Sequence, residues 1–417
     1  MKKKSILICL EKLDIGGVET SVVTQANEYR RRGYKVIVLA KKGIYAKKLE
    51  ENGIKVYDYE FILDNYLRCE NKIIQDIILK EKITEVHIHQ YPCILHILPV
   101  IFKLKIPYVA FVHSIIDGTY EYFMQCHNVY KFALPLFFQM ASKIVIIRPD
   151  EIEYNKKLFN ISDNSRYYLS KNSIDFNEIS IRERKTNQIE KFIIISRISS
   201  EKLKSIDVAI KYVKNLEKTN PNIRLSIIGD GPELESLKEK YSNMSIDYVG
   251  KTNDVYKYIQ ESDAVIGVDR CILEAISNKR LAIISSYDGN LCLVTPKNID
   301  FLNKENFSGN NLKSEKKYTN FDINKVDYKK VVEENYQYVY KNHNIQKNIF
   351  DEKLGIMHLD DLSYIFDYSN YIIKDNEKWI EESKRLYLEN QKLYKEIDVL
   401  NNKSIISIIA DRIRSKR

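Results

Sequence analysis

Along the first third of the chain, short apolar runs alternate with longer stretches whose apolar residues recur every three or four positions. Residues 5–10, 35–40, 54–57, 86–88, 108–112 and 143–147 predict buried strands, because a short continuous apolar run suits a strand covered on both faces. Residues 18–32, 70–82 and 94–104 predict helices. In the first of them Val18, Val22, Val23, Ala26 and Tyr29 share a face, and Arg30, Arg31 and Arg32 complement the carbonyl end of the last turn. Strand and helix in alternation predict βαβ units around a parallel sheet.

The pattern thins over 172–190, where Asn, Glu, Arg and Lys dominate, and then restarts. Strands are predicted at 192–196, 224–228, 246–249, 264–267 and 282–285, with helices at 205–219, 232–240, 255–261 and 271–277. The expectation is an α/β chain of two tandem Rossmann-like, doubly wound domains, residues 1–172 and 173–350. Beyond about residue 300 the periodicity degrades, and residues 351–417 are expected to form a helical extension. Within it, a helix over 376–400 carries Trp379, Leu386, Leu393 and Leu400 at heptad spacing. Ser383 and Asn390 interrupt that seam, which favours a packing helix over a coiled coil. The chain ends in Ile405, Ile406, Ile408, Ile409 and Ile413 among Arg412, Arg414, Lys416 and Arg417. Such a basic amphipathic tail suits an anionic membrane surface, with a frayed helix end as the plainer alternative.

Composition sharpens this picture. At 417 residues the chain is too long for one ordinary core, and 44% hydrophobic with 29% charged residues marks it as globular. The excess of 66 Lys and Arg over 57 Asp and Glu, a net +9, favours phosphates or an anionic surface, and no nucleic-acid partner is expected. Cys9, Cys69, Cys93, Cys126, Cys271 and Cys292 form no CxxC or metal-ligand spacing, which predicts reduced thiols. Lys2-Lys3-Lys4 precedes an apolar stretch that stops at Glu11, too short for a signal peptide. No run approaches the ~18 apolar residues of a membrane span. A cytoplasmic protein is expected, peripheral on the inner face of the cell membrane if the tail engages lipid. Only 13 glycines occur, so each is expected where the backbone requires it.

Candidate chemistry gathers at strand ends. Gly16-Gly17 follows the first strand and opens the first helix, where free N–H groups suit an anion, although no complete GxGxxG is present. After the strand 224–228, Gly229-Asp230-Gly231-Pro232 forms a tight turn into a helix that starts with Pro. Arg197 follows the strand 192–196 with Lys202 and Lys204 close behind, cations suited to a diphosphate. Glu274 lies in the otherwise apolar Cys271–Ile276 stretch, where a carboxylate needs hydrogen bonds to be buried. His87 and His89 alternate on their strand and are expected to face opposite ways, whereas His113 closes the strand 108–112. No DxD, P-loop, GxSxG or kinase signature occurs, and no catalytic metal or cofactor is expected.

As an ordered set, these motifs resemble the GT-B glycosyltransferases of retaining family 4. Leu13-Asp14-Ile15-Gly16-Gly17-Val18-Glu19 is similar to the family's Gly-Gly acceptor and phosphate loop, and Lys171-Asn172-Ser173-Ile174-Asp175 to its hinge strand, with Ser173 in place of glycine. Ser196-Arg197-Ile198 with Lys202 resembles the Arg and Lys that contact the sugar donor's diphosphate. Ile228-Gly229-Asp230-Gly231-Pro232-Glu233, Tyr248-Val249-Gly250 and Glu274-Ala275 resemble further donor-side motifs, the last carrying a ribose-binding Glu. The family usually has another Glu eight residues before it, where this chain has Ile266. Gly267-Val268-Asp269-Arg270 and Asn306-Phe307-Ser308-Gly309 resemble instead a subgroup without that first Glu.

The resemblance implies a retaining, metal-independent transfer of a sugar from a nucleotide diphosphate sugar, the co-substrate, to a saccharide or lipid-linked saccharide acceptor in bacterial surface polysaccharide or glycolipid synthesis. It implies catalytic roles for His113, Arg197 and Lys202 and donor binding by Gly16, Gly17, Gly229, Asp230, Gly231, Arg270, Glu274 and Ala275. The alternative is a catalytically weak or inactive GT-B module that binds a nucleotide sugar or a protein partner. A sugar-phosphate synthase or epimerase on the same fold is a third reading.

Overall fold

The computed structural model describes residues 4–62, 72–113, 129–184, 188–252, 254–355 and 381–393 apart from 383 and 387. The chain separates into two compact units, 1–120 with 134–358 and 121–133 with 359–417. Both sheets lie in the first unit. In the second, residues between 381 and 393 are helical, with Leu386, Leu388 and Leu393 exposed. The expected tail and the outer parts of the 376–400 helix lie outside the described residues, as do Cys69 and Cys126.

The first sheet holds β1 (Ser5–Lys12), β2 (Lys35–Lys41), β3 (Lys55–Asp58), β4 (Glu85–Ile88), β5 (Tyr108–Val112), β6 (Lys143–Ile146) and β7 (Tyr167–Leu169). Their order is β3-β2-β1-β4-β5-β6-β7, parallel throughout. The second sheet holds β8 (Lys191–Ile195), β9 (Arg224–Ile228), β10 (Asp247–Gly250), β11 (Ala264–Gly267), β12 (Leu281–Ser285) and β13 (Leu291–Leu293). Its order is β10-β9-β8-β11-β12-β13, with β13 antiparallel at the edge. In each sheet the strand order reverses beside the first strand, between β1 and β4 and between β8 and β11. Sheets of this kind bind ligands beyond the carboxyl ends of the strands at such a reversal.

Apolar continuity explains why the strands run centrally. Ile6 to Leu10 and Leu281 to Ile284 are fully buried, as expected where helices cover both faces of a parallel sheet. The helix Gly17–Arg31 lays Val22, Val23, Ala26 and Tyr29 into the first core. The helix Arg270–Ser277 lays Ile272, Leu273, Ala275 and Ile276 into the second.

The C-terminal side departs from the expected boundary at 350. The helix Tyr328–Asn342 packs Val332 and Val339 with the second sheet, and the chain then returns to the first. Ile345 and Ile349 join the core of the first sheet, and Phe350 packs with Val109, Phe111 and Val145. On the way, residue 344 pairs with the hinge strand: Ile174 donates to the His343 carbonyl at 2.7 Å and Ile345 donates to the Ile174 carbonyl at 3.0 Å. The physical reason is hydrophobic. The short Ile345–Asn348 turn leaves Ile345, Ile349 and Phe350 unburied unless a second surface covers them, and the first sheet supplies it.

Candidate active site

The carboxyl edge of the second sheet is shaped by two glycines that let two loops touch. A Cβ on Gly229 would meet the Ser196 carbonyl oxygen at 1.8 Å, and one on Gly231 the Ile198 oxygen at 2.2 Å. Both have φ values that side-chain-bearing residues rarely adopt, +143° and +158°. The contact is locked by Ile198 N–H donating to the Asp230 carbonyl at 2.9 Å and Glu233 N–H to the Ile198 carbonyl at 3.1 Å. Arg197 is thereby held at the tip of β8 with its side chain exposed. The loop amides are themselves engaged: Gly229 N–H donates to the Gly250 carbonyl at 3.0 Å, and Gly231 N–H to Asp230 Oδ1 at 2.8 Å. The glycine loop thus supports Arg197 while the N–H groups of Gly229 and Gly231 are taken.

Lys202 ends a short 3₁₀ turn, Ser200–Lys202, and lines a cleft with Ser196, Gly267, Val268, Ser285 and Tyr287. Its Nζ lies 5.5 Å from the centre of the Tyr287 ring. Ile266, at the position where the family usually has a Glu, is fully buried on β11, paired in register with Ile194 and Ile283. It contributes an apolar cleft wall and no hydrogen-bonding side chain.

Glu274 is engaged by Arg270. Arg270 donates from Nε to Glu274 Oε1 at 3.0 Å, from Nη1 to the Ser173 carbonyl at 3.0 Å, and from Nη2 to Thr24 Oγ1 at 3.2 Å. A single buried guanidinium therefore joins the helix Arg270–Ser277, the strand near residue 174 and the helix Gly17–Arg31. Burial raises the Glu274 carboxyl pKa, and the Arg270 charge and hydrogen bond oppose that rise. Burial and then the Glu274 charge raise the nearby Tyr256 phenol. Ala275 is buried in the second core behind this pair.

The loop that starts this helix is strained. Asp269 has φ +57° and ψ −125°, a backbone conformation that favours glycine over a residue with a side chain. Asn306 and Phe307, at φ +54° and +60°, belong to the Asn306–Gly309 motif. The Asp269 N–H donates to the Phe307 carbonyl at 3.0 Å, and Asn172 Nδ2 donates to Asn306 Oδ1 at 3.0 Å. Backbone held in sparsely populated conformations costs about 1–3 kcal/mol per residue and gathers at functional sites.

On the first sheet, Gly16 precedes the helix Gly17–Arg31 without a side-chain capping bond. A Cβ at Gly16 would collide with Glu19 Oε2, 2.1 Å away, whereas one at Gly17 meets nothing within 4 Å among the described residues. Gly16 therefore makes room for a buried Glu19, and Gly17 faces open space. Burial raises the Glu19 carboxyl pKa; its own backbone N–H, Gln90, Lys12 and the Arg197 charge pull it back. Beyond the glycine loop, Lys251 Nζ donates to Asp14 Oδ1 at 2.7 Å, an exposed ion pair between the loops after β10 and β1.

His113 ends β5 and meets His89, just past β4, with His89 Nδ1 and His113 Nε2 3.0 Å apart. Burial pulls His113 down to about 4 and His89 well below its usual range. The expected opposite orientation of His87 and His89 does not hold: residues two apart in a strand share a face, and both rings pack on Phe111, at 5.2 and 4.1 Å between centroids, with His87 Nε2 3.2 Å from Glu85 Oε1. Sequence reasoning assigned no contact in the site to His89, Thr24, Tyr256 or the Asp14–Lys251 pair. For His89 a signal existed, since adjacent strands ending in histidine bring the rings together. For the others the partner lies far along the chain. Among the described residues, no three His, Cys, Asp or Glu side chains are grouped to hold a metal ion, and no helix is long and apolar enough to cross a membrane.

Residues 15–177 match the model of Glycosyltransferase Family 4, and residues 175–308 that of Glycosyl transferases group 1, together well over half of the chain. A sequence comparison with curated proteins finds no match. Anabaena HepE, solved with UDP and glucose, has a TM-score of 0.57 at 15% identity, covering 82% of this chain and 96% of its own. Sucrose-phosphate synthase from Thermosynechococcus elongatus gives 0.58 at 10% identity, covering 82% and 96%. WaaG, a glycosyltransferase involved in lipopolysaccharide biosynthesis, gives 0.53 at 14% identity, covering 82% and 97%. Identities this low carry the fold alone; the two family models, meeting near residue 175 between the two sheets, carry the family. The chain belongs to the GT-B glycosyltransferases of family 4.

Proposed function

We propose that the chain transfers a sugar, with retention of anomeric configuration, from a nucleotide diphosphate sugar to an acceptor hydroxyl. The observation that carries this reading is the pair of cations at the reversal of the second sheet. Arg197 is held there by the glycine loop, and Lys202 lines the adjoining cleft. As the glycosidic bond breaks, negative charge grows on the leaving diphosphate, and fixed cations stabilise that charge more than the ground state. The scheme gives this task to Arg197 and Lys202 and uses neither a metal ion nor a cofactor. Glu274, fixed by Arg270, is a geometrically defined acceptor for ribose hydroxyls, and His113 serves the sugar from the side of the first sheet. Gly16 and Gly17 form the acceptor-side loop.

HepE, of the same fold, was solved with UDP and glucose, which supports a nucleotide sugar as the co-substrate. WaaG, on that fold too, is involved in lipopolysaccharide biosynthesis, which supports a saccharide or lipid-linked acceptor and a role in building a bacterial surface polymer. A cytoplasmic enzyme resting on the inner membrane face fits that role.

Ile266 favours a second reading, a module that binds a nucleotide sugar or a protein partner without turnover, because the cleft lacks the family's usual sugar-reading carboxylate. A panel of UDP and GDP sugars separates the two. The enzyme reading expects thermal stabilisation by one donor together with its slow hydrolysis. Stabilisation without any hydrolysis or transfer, across acceptors, would leave the binding module.

A further inference from the structure

We propose that His89 is a positioning residue that fixes the tautomer of His113, so that His113 carries its proton on Nδ1 and acts as a hydrogen-bond donor in the cleft. Burial keeps both imidazoles neutral, so each ring holds one N–H, and a single proton lies between His89 Nδ1 and His113 Nε2, 3.0 Å apart. That proton belongs to one ring or the other.

If it belonged to His113, the proton of His89 would sit on Nε2. This atom is buried, and no group among the described residues lies within hydrogen-bond reach of it. A buried N–H without an acceptor is rare and costs the full desolvation of the group. If the proton belongs to His89, the Nδ1–H donates to His113 Nε2, and only a lone pair is left unpaired on His89, the cheaper defect. The His89 ring is held for this purpose. It stacks on Phe111 at 4.1 Å between centroids and 13° between planes, and its backbone N–H donates to the Cys9 carbonyl at 3.0 Å.

With Nε2 accepting, His113 has its own proton on Nδ1. His113 lines a polar cleft with Thr24, Gln25, Ser170 and Asn172, and Gln25 Oε1 there is a buried acceptor with no partner among the described residues. An N–H and an amide oxygen in one cleft suit a hydroxyl, which accepts from one and donates to the other. That a sugar hydroxyl is the ligand rests on the function proposed above; the tautomer does not.

Long-range 1H–15N spectra of the 15N-histidine-labelled protein read the tautomer, with His113→Gln identifying the resonances. The wild type is expected to show His113 protonated on Nδ1, and a His113 protonated on Nε2 would overturn the proposal without any variant being needed. His89→Phe keeps the ring stack and removes the donor. It is expected to move His113 toward the Nε2–H form and to slow sugar transfer on the order of tenfold, the worth of about one hydrogen bond. His89→Gln, whose amide N–H can replace the donor, is expected to restore part of the rate. Unchanged transfer in His89→Phe with a shifted tautomer would overturn the role given to His113. A wild type with the Nδ1–H signature but no transfer from any nucleotide sugar would support the tautomer and defeat the enzyme reading instead.

Discussion

Arg270 concentrates the chemistry of the site in one side chain, since its guanidinium holds Glu274, Ser173 and Thr24 together. Removing it strands a buried carboxylate. Arg270→Ala is expected to cost about 3–5 kcal/mol of stability, whereas Arg270→Met combined with Glu274→Leu regains most of that loss. Denaturant midpoints of the three proteins check this; a single variant as stable as wild type would show that Glu274 finds another partner. His343 supplies a pH prediction at the same scale. It is fully buried, it contacts the Asn172 carbonyl at 2.6 Å through Nδ1, and burial pulls it down from 6.5 to about 4. Between those values the unfolded chain takes up a proton that the native histidine refuses. Its contribution is therefore complete above pH 6.5 and is lost as the pH falls toward 4, by up to about 3 kcal/mol. Urea unfolding at pH 7 and at pH 4.5 should show a smaller loss in His343→Gln than in wild type.

At the scale of elements, the glycine loop after β9 works through its neighbour. Gly229→Ala drives a methyl into the Ser196 carbonyl, so it should lower stability by about 3 kcal/mol or more and displace Arg197. Thermal unfolding and donor turnover measure the two effects, and a stable, fully active variant would mean that the loops do not touch. The Gly-Asp-Gly-Pro turn and the central strands were legible because both leave local marks: tight-turn residues and uninterrupted apolar runs. Less legible elements lack one or the other. β7 has three residues, none of them buried, and β13 returns antiparallel after a turn containing Gly289. The helix Tyr328–Asn342 buries only Tyr328, Val332, Asn335 and Val339 amid polar residues, although its Asp327 cap, accepting from Lys330 N–H, is written in the sequence. Arg197 and Lys202 stood out because they follow a strand closely. The Arg270–Thr24 contact did not, because no local pattern encodes a bond between residues so far apart in sequence.

At the scale of the whole molecule, the segment after residue 343 ties the chain back to its first sheet. Tyr29 donates to the Phe350 carbonyl at 2.7 Å, Arg32 donates to Asp351, and Arg31 meets Asp175 with two hydrogen bonds. Ile349→Ala opens the core of the first sheet and should cost about 2–5 kcal/mol, as much as a substitution within β1 itself. A loss well under 1 kcal/mol in chemical denaturation would mean that the return segment is dispensable. Among the described residues the two sheets are thus joined by the strand near residue 174, by the return segment, by Arg270 and by the Lys251–Asp14 pair.

In the proposed reaction Arg197 and Lys202 are the cations that receive the leaving diphosphate. The most direct measurement is the single-turnover rate of sugar transfer or donor hydrolysis for wild type and Arg197→Ala, using whichever nucleotide sugar stabilises the wild type. A fall of about 10²–10³-fold with an unchanged melting temperature is expected. Equal rates in the two proteins would contradict it.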